Sequence, residues 1–291
     1  MTQAAKKVQM NVPDQHLHLF EDMVLGLATA TDIGKTKQDA SEWVVTAFFD
    51  PRIDDAEVQN CMKEAAETCG LSTEENAITI VSDEDWQSKM REDFPPLEAG
   101  DFFIHSFDEA APEGKISLHI PAGMAFGTGE HSTTYGCLVL YSELSQKTTF
   151  KNGLDMGCGS GILALGATKK QNTPFLAVDI DAPSIDICKE NMDNNDASST
   201  VTSMVGNGFN TAEVSKSAPY DLIFANILAS PLLQMADGLV NVLEKNGVAI
   251  LSGFLTHQEE AIINAYTALG MEVTAREQRE EWVALAMTKV G

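Results

Sequence analysis

The segment GLDMGCGSGIL sets Gly157, Gly159 and Gly161 at alternate positions between an apolar run that reads as a strand and one that reads as a helix. Glycines at such a junction permit a tight turn and let backbone approach a ligand that a Cβ would exclude. The spacing is GxGxG, whereas the dinucleotide fingerprint is GxGxxG, so the turn alone leaves the ligand open. A second apolar run, FLAVDID, ends in Asp179 about twenty residues later, where a carboxylate can accept hydrogen bonds from both hydroxyls of an adenosine ribose. Together the two elements specify a nucleoside-containing cofactor. Asp181, just ahead of APSIDICKEN, suits the cap of the next helix, which leaves Asp179 for the ribose.

A third apolar run, DLIFANIL, terminates in Asn226. Its amide carbonyl can accept a hydrogen bond from an amine and so aim the nitrogen lone pair at a reacting carbon. Ser230 followed by Pro231 is the better cap for the helix that follows, because proline suits the first helical turn. The glycine-rich loop AFGTGEHSTT adds Thr128, His131, Thr133 and Thr134, polar groups on a backbone that can fold over a bound cofactor. His131 has neither an HExxH context nor a second ligand, so no zinc site and no Ser/His/Asp triad is expected.

The elements that must position these residues follow from periodicity. From Gly153 onward, near-continuous apolar strands alternate with helical segments, which implies a mostly parallel, doubly wound sheet covered on both faces, the Rossmann-like arrangement. A last pair, EVTAREQREEW and VALAMTKV, reads as an antiparallel hairpin at the sheet edge. The first ninety or so residues read as KVQMNV, HLHLFEDMVLGLATA, WVVTAFF, DAEVQNCMKEAAETCG and AITIVS, short strands and helices of a small α+β ferredoxin-like domain. Between them, REDFPPLEAGD carries Pro95, Pro96 and Gly100, so residues 1–90 are expected to form the first domain, 91–100 a linker and 101–291 the second. Two strands, DFFIHSF and KISLHIPA, should open the second domain.

The formal charge is −24, from 19 basic and 43 acidic residues. Such a field repels a phosphate backbone, which argues against direct nucleic-acid binding, and it attracts a basic protein. The five cysteines, Cys61, Cys69, Cys137, Cys158 and Cys188, form no CxxC pair and read as reduced thiols. No apolar run reaches bilayer-spanning length and the opening MTQAAKKVQMNV lacks a signal-like core, so no membrane association and a cytoplasmic location are expected.

AFGTGEHSTT, LDMGCGSGILALGA, VDIDAPSID, FANILASPL and LSGFLTHQEE, in that order, resemble the successive blocks of the ribosomal protein L-eleven methyltransferases, the PrmA family. SDEDWQSKMREDFPPLEAGDFFIHSF resembles its interdomain segment. The resemblance implies a class I methyltransferase domain using S-adenosyl-L-methionine and an amino-terminal domain that recognises the ribosomal protein. It implies methylation of lysine side chains, and of the terminal amine, of large-subunit protein eleven. By motif it implies cofactor contacts at Thr134, Gly157, Gly159, Asp179 and Asn226, with Phe126 and His131 as neighbours and Asn226 also in the catalytic role. The loop departs from the family's THPTT-like pattern at Glu130 and Ser132. Other readings are a methyltransferase for another protein lysine or a small-molecule amine, an NAD-linked oxidoreductase, and a non-catalytic binding protein.

Overall fold

The computed structural model describes residues 6–35, 42–50, 52–71, 80–81, 95–106, 109–121 and 130–290. The chain divides into two compact units, Met1–Asp93 and Phe94–Gly291. Among the described residues no helix is long and apolar enough to cross a membrane.

The first unit runs β1 (Lys6–Pro13), α1 (Leu17–Val24), β2 (Ala30–Lys35), β3 (Glu42–Phe49), α2 (Asp55–Thr68) and β4 (Ile80–Val81). Its sheet has the order β2-β3-β1-β4 with antiparallel neighbours, the ferredoxin-like topology. Alternate residues of β1, Val8, Met10 and Val12, are buried beside Val45, Ala47 and Phe49 of β3. Against them pack Phe20 and Val24 of α1 and Val58, Met62 and Ala65 of α2, spaced by three or four residues as one helix face requires. Asp54 caps α2 by accepting from the Ala56 amide at 2.8 Å. The sequence reading carried the first helix to Ala30, but α1 stops at Val24 and Ala30–Lys35 is a strand. Among the described residues that strand lies at the sheet edge, paired with β3 alone, where a short polar sequence interrupted by Gly34 carries little strand signal.

The second unit continues β5 (Leu97–Ala99), β6 (Phe102–His105), β7 (Ile116–His119), α3 (Glu130–Ser145), β8 (Gly153–Met156), α4 (Ile162–Gln171), β9 (Phe175–Asp179), α5 (Ala182–Asn194) and β10 (Val201–Val205). It then runs α6 (Ala212–Ser217), β11 (Tyr220–Asn226), α7 (Ala229–Gln234), α8 (Ala236–Val242), β12 (Leu243–Leu255), α9 (Glu259–Thr267), β13 (Met271–Arg279) and β14 (Trp282–Lys289). Leu97–Ala99, within the stretch expected to be linker, pairs as a strand with β6 in a small sheet of order β5-β6-β7.

The large sheet has the order β10-β9-β8-β11-β12-β14-β13, parallel through β12 and closed by the antiparallel hairpin. The hairpin enters with its second strand, so β14 lies inside the sheet and β13 is the edge. Both faces are buried as the continuous apolar strands require. Leu222 and Phe224 of β11 belong to one core, and Ile223 and Ala225 to the other. Strand order reverses between β8 and β11, and in open α/β sheets the crevice beyond the strand ends at such a switch point receives the ligand.

Candidate functional site

A cavity of about 460 Å3 opens beyond the carboxyl ends of β8, β9 and β11. Its lining includes Thr134, Gly157, Gly159, Asp179 and Asn226, so the sheet brings together five residues picked from four separate sequence segments. A second cavity of about 740 Å3 adjoins it and shares Gly157, Asp179, Ile227 and Leu228. Phe126 lies outside the described residues. His131 falls in the first turn of α3, and its side chain is likewise outside them.

The glycine turn is held from two sides, by β9 and by α5. Gly157 and Cys158 donate their amides to the Val178 carbonyl at 2.8 and 3.1 Å, tying the turn to β9. Asn191 of α5 donates from Nδ2 to the Ser160 carbonyl at 2.9 Å. Gly157, Gly159 and Gly161 all have positive φ, of 71°, 51° and 76°, a region in which a side chain costs free energy. A Cβ at Gly161 would strike Cys188 Sγ at 2.5 Å, which makes that glycine a packing requirement. A Cβ at Gly159 would meet nothing within 4 Å, so what a side chain would obstruct there is the cavity.

Asp179 ends β9 with both carboxylate oxygens oriented by backbone. Oδ2 accepts from the Gly159 amide at 2.9 Å and Oδ1 from the Asp181 amide at 3.0 Å. Each oxygen retains a lone pair for a ligand hydroxyl. Asp181 is the helix cap, its Oδ2 accepting from the Ser184 amide at 3.0 Å and hydroxyl at 2.8 Å. Asn226 ends β11, half-buried, in register with Ser252 of β12. Its side chain forms no hydrogen bond among the described residues. The expected Ser230 cap does not form: α7 begins at Ala229, after Leu228, two residues earlier than a Ser230 cap would set it, and the Ser230 hydroxyl accepts from Gln234 Nε2 at 3.0 Å. The β ladder explains the shift, because the Ile227 amide still bonds to the Ser252 carbonyl at 3.1 Å and the chain turns into helix immediately afterwards.

Residues unmarked by the sequence reading complete the lining. Ile227 and Leu228 follow Asn226, and Trp282 reaches the cavity from the start of β14. Ile180, 73% exposed, and Phe209 give the adjoining cavity apolar surface of the kind that takes a planar base. Asp155 is the largest omission. It is buried in β8, burial raises its carboxyl to about pH 7, and the nearby Asp179 charge pushes the same way. The signal was present: a charge in the middle of an apolar strand needs a reason.

Comparison with known proteins accords with this geometry. The family model for ribosomal protein L11 methyltransferase (PrmA) matches residues 8–290. The chain is 35% identical to the ribosomal protein L11 methyltransferase of Rhizobium rhizogenes, over 98% of this chain and 96% of that one. It is 36% identical to that of Bradyrhizobium diazoefficiens, over 86% and 85%. Among solved structures, the ribosomal protein L11 methylase of Lactobacillus delbrueckii subsp. bulgaricus superposes with a TM-score of 0.60 at 25% identity, covering 68% of this chain and all of that one. The chain therefore belongs to the ribosomal protein L11 methyltransferase (PrmA) family.

Proposed function

We propose that the protein transfers the methyl group of S-adenosylmethionine to lysine side-chain amines, and to the terminal amine, of the large-subunit ribosomal protein that its relatives are named for. The observation that carries this reading is the convergence of the glycine turn, the oriented Asp179 carboxylate and the uncommitted Asn226 amide on one cavity at the strand-order switch.

The residues fit the cofactor. Asp179 keeps acceptor capacity for two ribose hydroxyls, the glycine turn leaves room where a Cβ would intrude, and Ile180 with Phe209 offers apolar surface for the base. Thr134, on the first turns of α3, lines the same cavity. When bound, S-adenosylmethionine supplies a methyl already activated on a sulfonium, so the protein's contribution is alignment and exclusion of water.

Asn226 takes the positioning role. Its carbonyl oxygen accepts a hydrogen bond from the acceptor nitrogen and fixes the direction of the lone pair. A lysine amine, with a reference pKa near 10.4, must first lose a proton, and a desolvating cavity wall of Ile227, Leu228 and Trp282 favours the neutral form. The unit Met1–Asp93 takes substrate recognition, since every described lining residue of the cavity lies in the other unit. The charge of −24 favours approach of a basic acceptor, and added salt should slow that approach by screening.

Incubating the purified protein with labelled S-adenosylmethionine and free ribosomal proteins, followed by mass spectrometry of the labelled species, tests the reading. Label on lysines of large-subunit protein eleven supports it. Label on another protein or a small amine alone would overturn the substrate and leave methyl transfer standing.

A further inference from the structure

Asp155 occupies a position that is costly for a charge. It lies between Leu154 and Met156 in β8, is 1% exposed, and lines the same cavity as Gly157 and Asp179. Among the described residues its Oδ2 accepts one bond, from the Ala164 amide of α4 at 3.2 Å, and its Oδ1 has no partner. The titratable groups facing it are Asp179 at the end of β9, Cys137 on α3 and Cys158 in the glycine turn. All are acids. Among the described residues no lysine, arginine or histidine forms an ion pair with it; of Glu130 and His131 on α3, only the backbone is described.

We propose that Asp155 carries a proton in the free protein and releases it to solvent when the cationic cofactor enters the cavity, so that cofactor binding and ionisation of this carboxyl are one event. The inference rests on the reading that the cavity takes S-adenosylmethionine. The physical basis is the change of neighbours. In the free protein, burial without a countercharge and the Asp179 charge favour the neutral acid, and the carboxyl titrates at about pH 7. A ligand bearing a sulfonium and an α-ammonium brings the missing positive charge and favours the carboxylate. The proton leaves as the carboxylic acid becomes carboxylate, and the cofactor keeps its charge.

The sign follows from linkage. Below about pH 7 the free protein holds the proton and the complex does not, so affinity rises with pH, by up to about tenfold per unit, and levels off above that value. Stability of the free protein runs the other way. A carboxyl raised in the folded state contributes most below its unfolded value near 3.9, and that contribution is lost as pH rises through about 7. Bound cofactor should abolish the loss.

The test is titration calorimetry of the full chain with S-adenosylmethionine at about pH 6, in buffers of different ionisation enthalpy. Close to one proton should be released per cofactor bound, and Asp155→Asn should release none and bind with an affinity that no longer rises with pH. Infrared difference spectroscopy of the unmodified protein reads the same event without a substitution, as loss of a protonated-carboxyl band on binding. Binding without proton release, or release that survives in Asp155→Asn, would overturn the proposal. Absence of binding in the unmodified protein would overturn the cofactor assignment instead.

Discussion

The two ends of the cavity are built differently. At the β8–β9 end the backbone is committed: Asp179 is held by two amides, the glycine turn by β9 and by Asn191, and Asp181 by Ser184. At the β11–β12 end Asn226 has no side-chain partner among the described residues, and beside it stand Ile227, Leu228 and Trp282, which offer surface in place of hydrogen bonds. A group fixed by the protein is ready for a ligand of constant shape, whereas an unfixed amide at an apolar wall awaits a partner that completes it. The difference suits a cofactor at one end and a varying acceptor amine at the other.

Gly253→Ala should have the largest effect because it strikes the joint of the second end. Gly253 has φ of 92°, and a Cβ there would overlap the Ile227 backbone at its nitrogen, carbonyl carbon and oxygen. Backbone does not yield as a side-chain tip does, so the substitution should cost on the order of 3 kcal/mol in denaturant unfolding. Displacing Ile227 also displaces the wall that both cavities share, and cofactor affinity should fall with it. Unaltered affinity in the folded fraction would show that the two ends are independent.

Asp179→Ala breaks the committed end. Loss of a charge-assisted acceptor should cost on the order of 2 kcal/mol of cofactor binding, tenfold or more in affinity by calorimetry. Thermal unfolding should change less, because Asp179 is only half-buried at a strand end. Unchanged affinity would remove it from the site.

Much of this was legible in the sequence, for a physical reason. Asp179 and Asn226 each end an apolar run, and a polar residue at the end of a buried strand is necessarily at the sheet edge where ligands collect. The Asp181 cap was readable because its partner is three residues away. Asp155 was legible only as a charge inside an apolar strand; its shortage of partners across β9, α3 and α4 is something that folding alone reveals. Trp282 belongs to the last strand and reaches the cavity only because β14 inserts beside β12. The Ser230 cap failed because strand pairing at Ile227 outweighed a local capping preference.

Asn226→Ala sharpens the comparison by separating two readouts. If the amide chiefly aims the acceptor nitrogen, methyl transfer should fall by roughly tenfold or more while cofactor affinity changes a few-fold at most. The open end would then be the acceptor's. Equal losses in both would make Asn226 a cofactor residue and merge the two ends into one function.

The smallest effect on cofactor affinity should come from the largest deletion. The core of the first unit draws on Val8 through Cys69 and those of the second on Ala99 through Met287, and these clusters share no residue. A fragment beginning near Pro95 retains β5 and therefore the whole of the β5-β6-β7 sheet, together with every described residue that lines the cavity. Domains with separate cores can fold alone, so the fragment should unfold cooperatively and bind S-adenosylmethionine within about twofold of the full chain. It should also lose methylation of the ribosomal protein, because recognition is assigned to what was removed. A fragment that folds but does not bind cofactor would place part of the cofactor site in the first ninety or so residues, and the contrast between a prebuilt cofactor end and an open acceptor end would have to be redrawn.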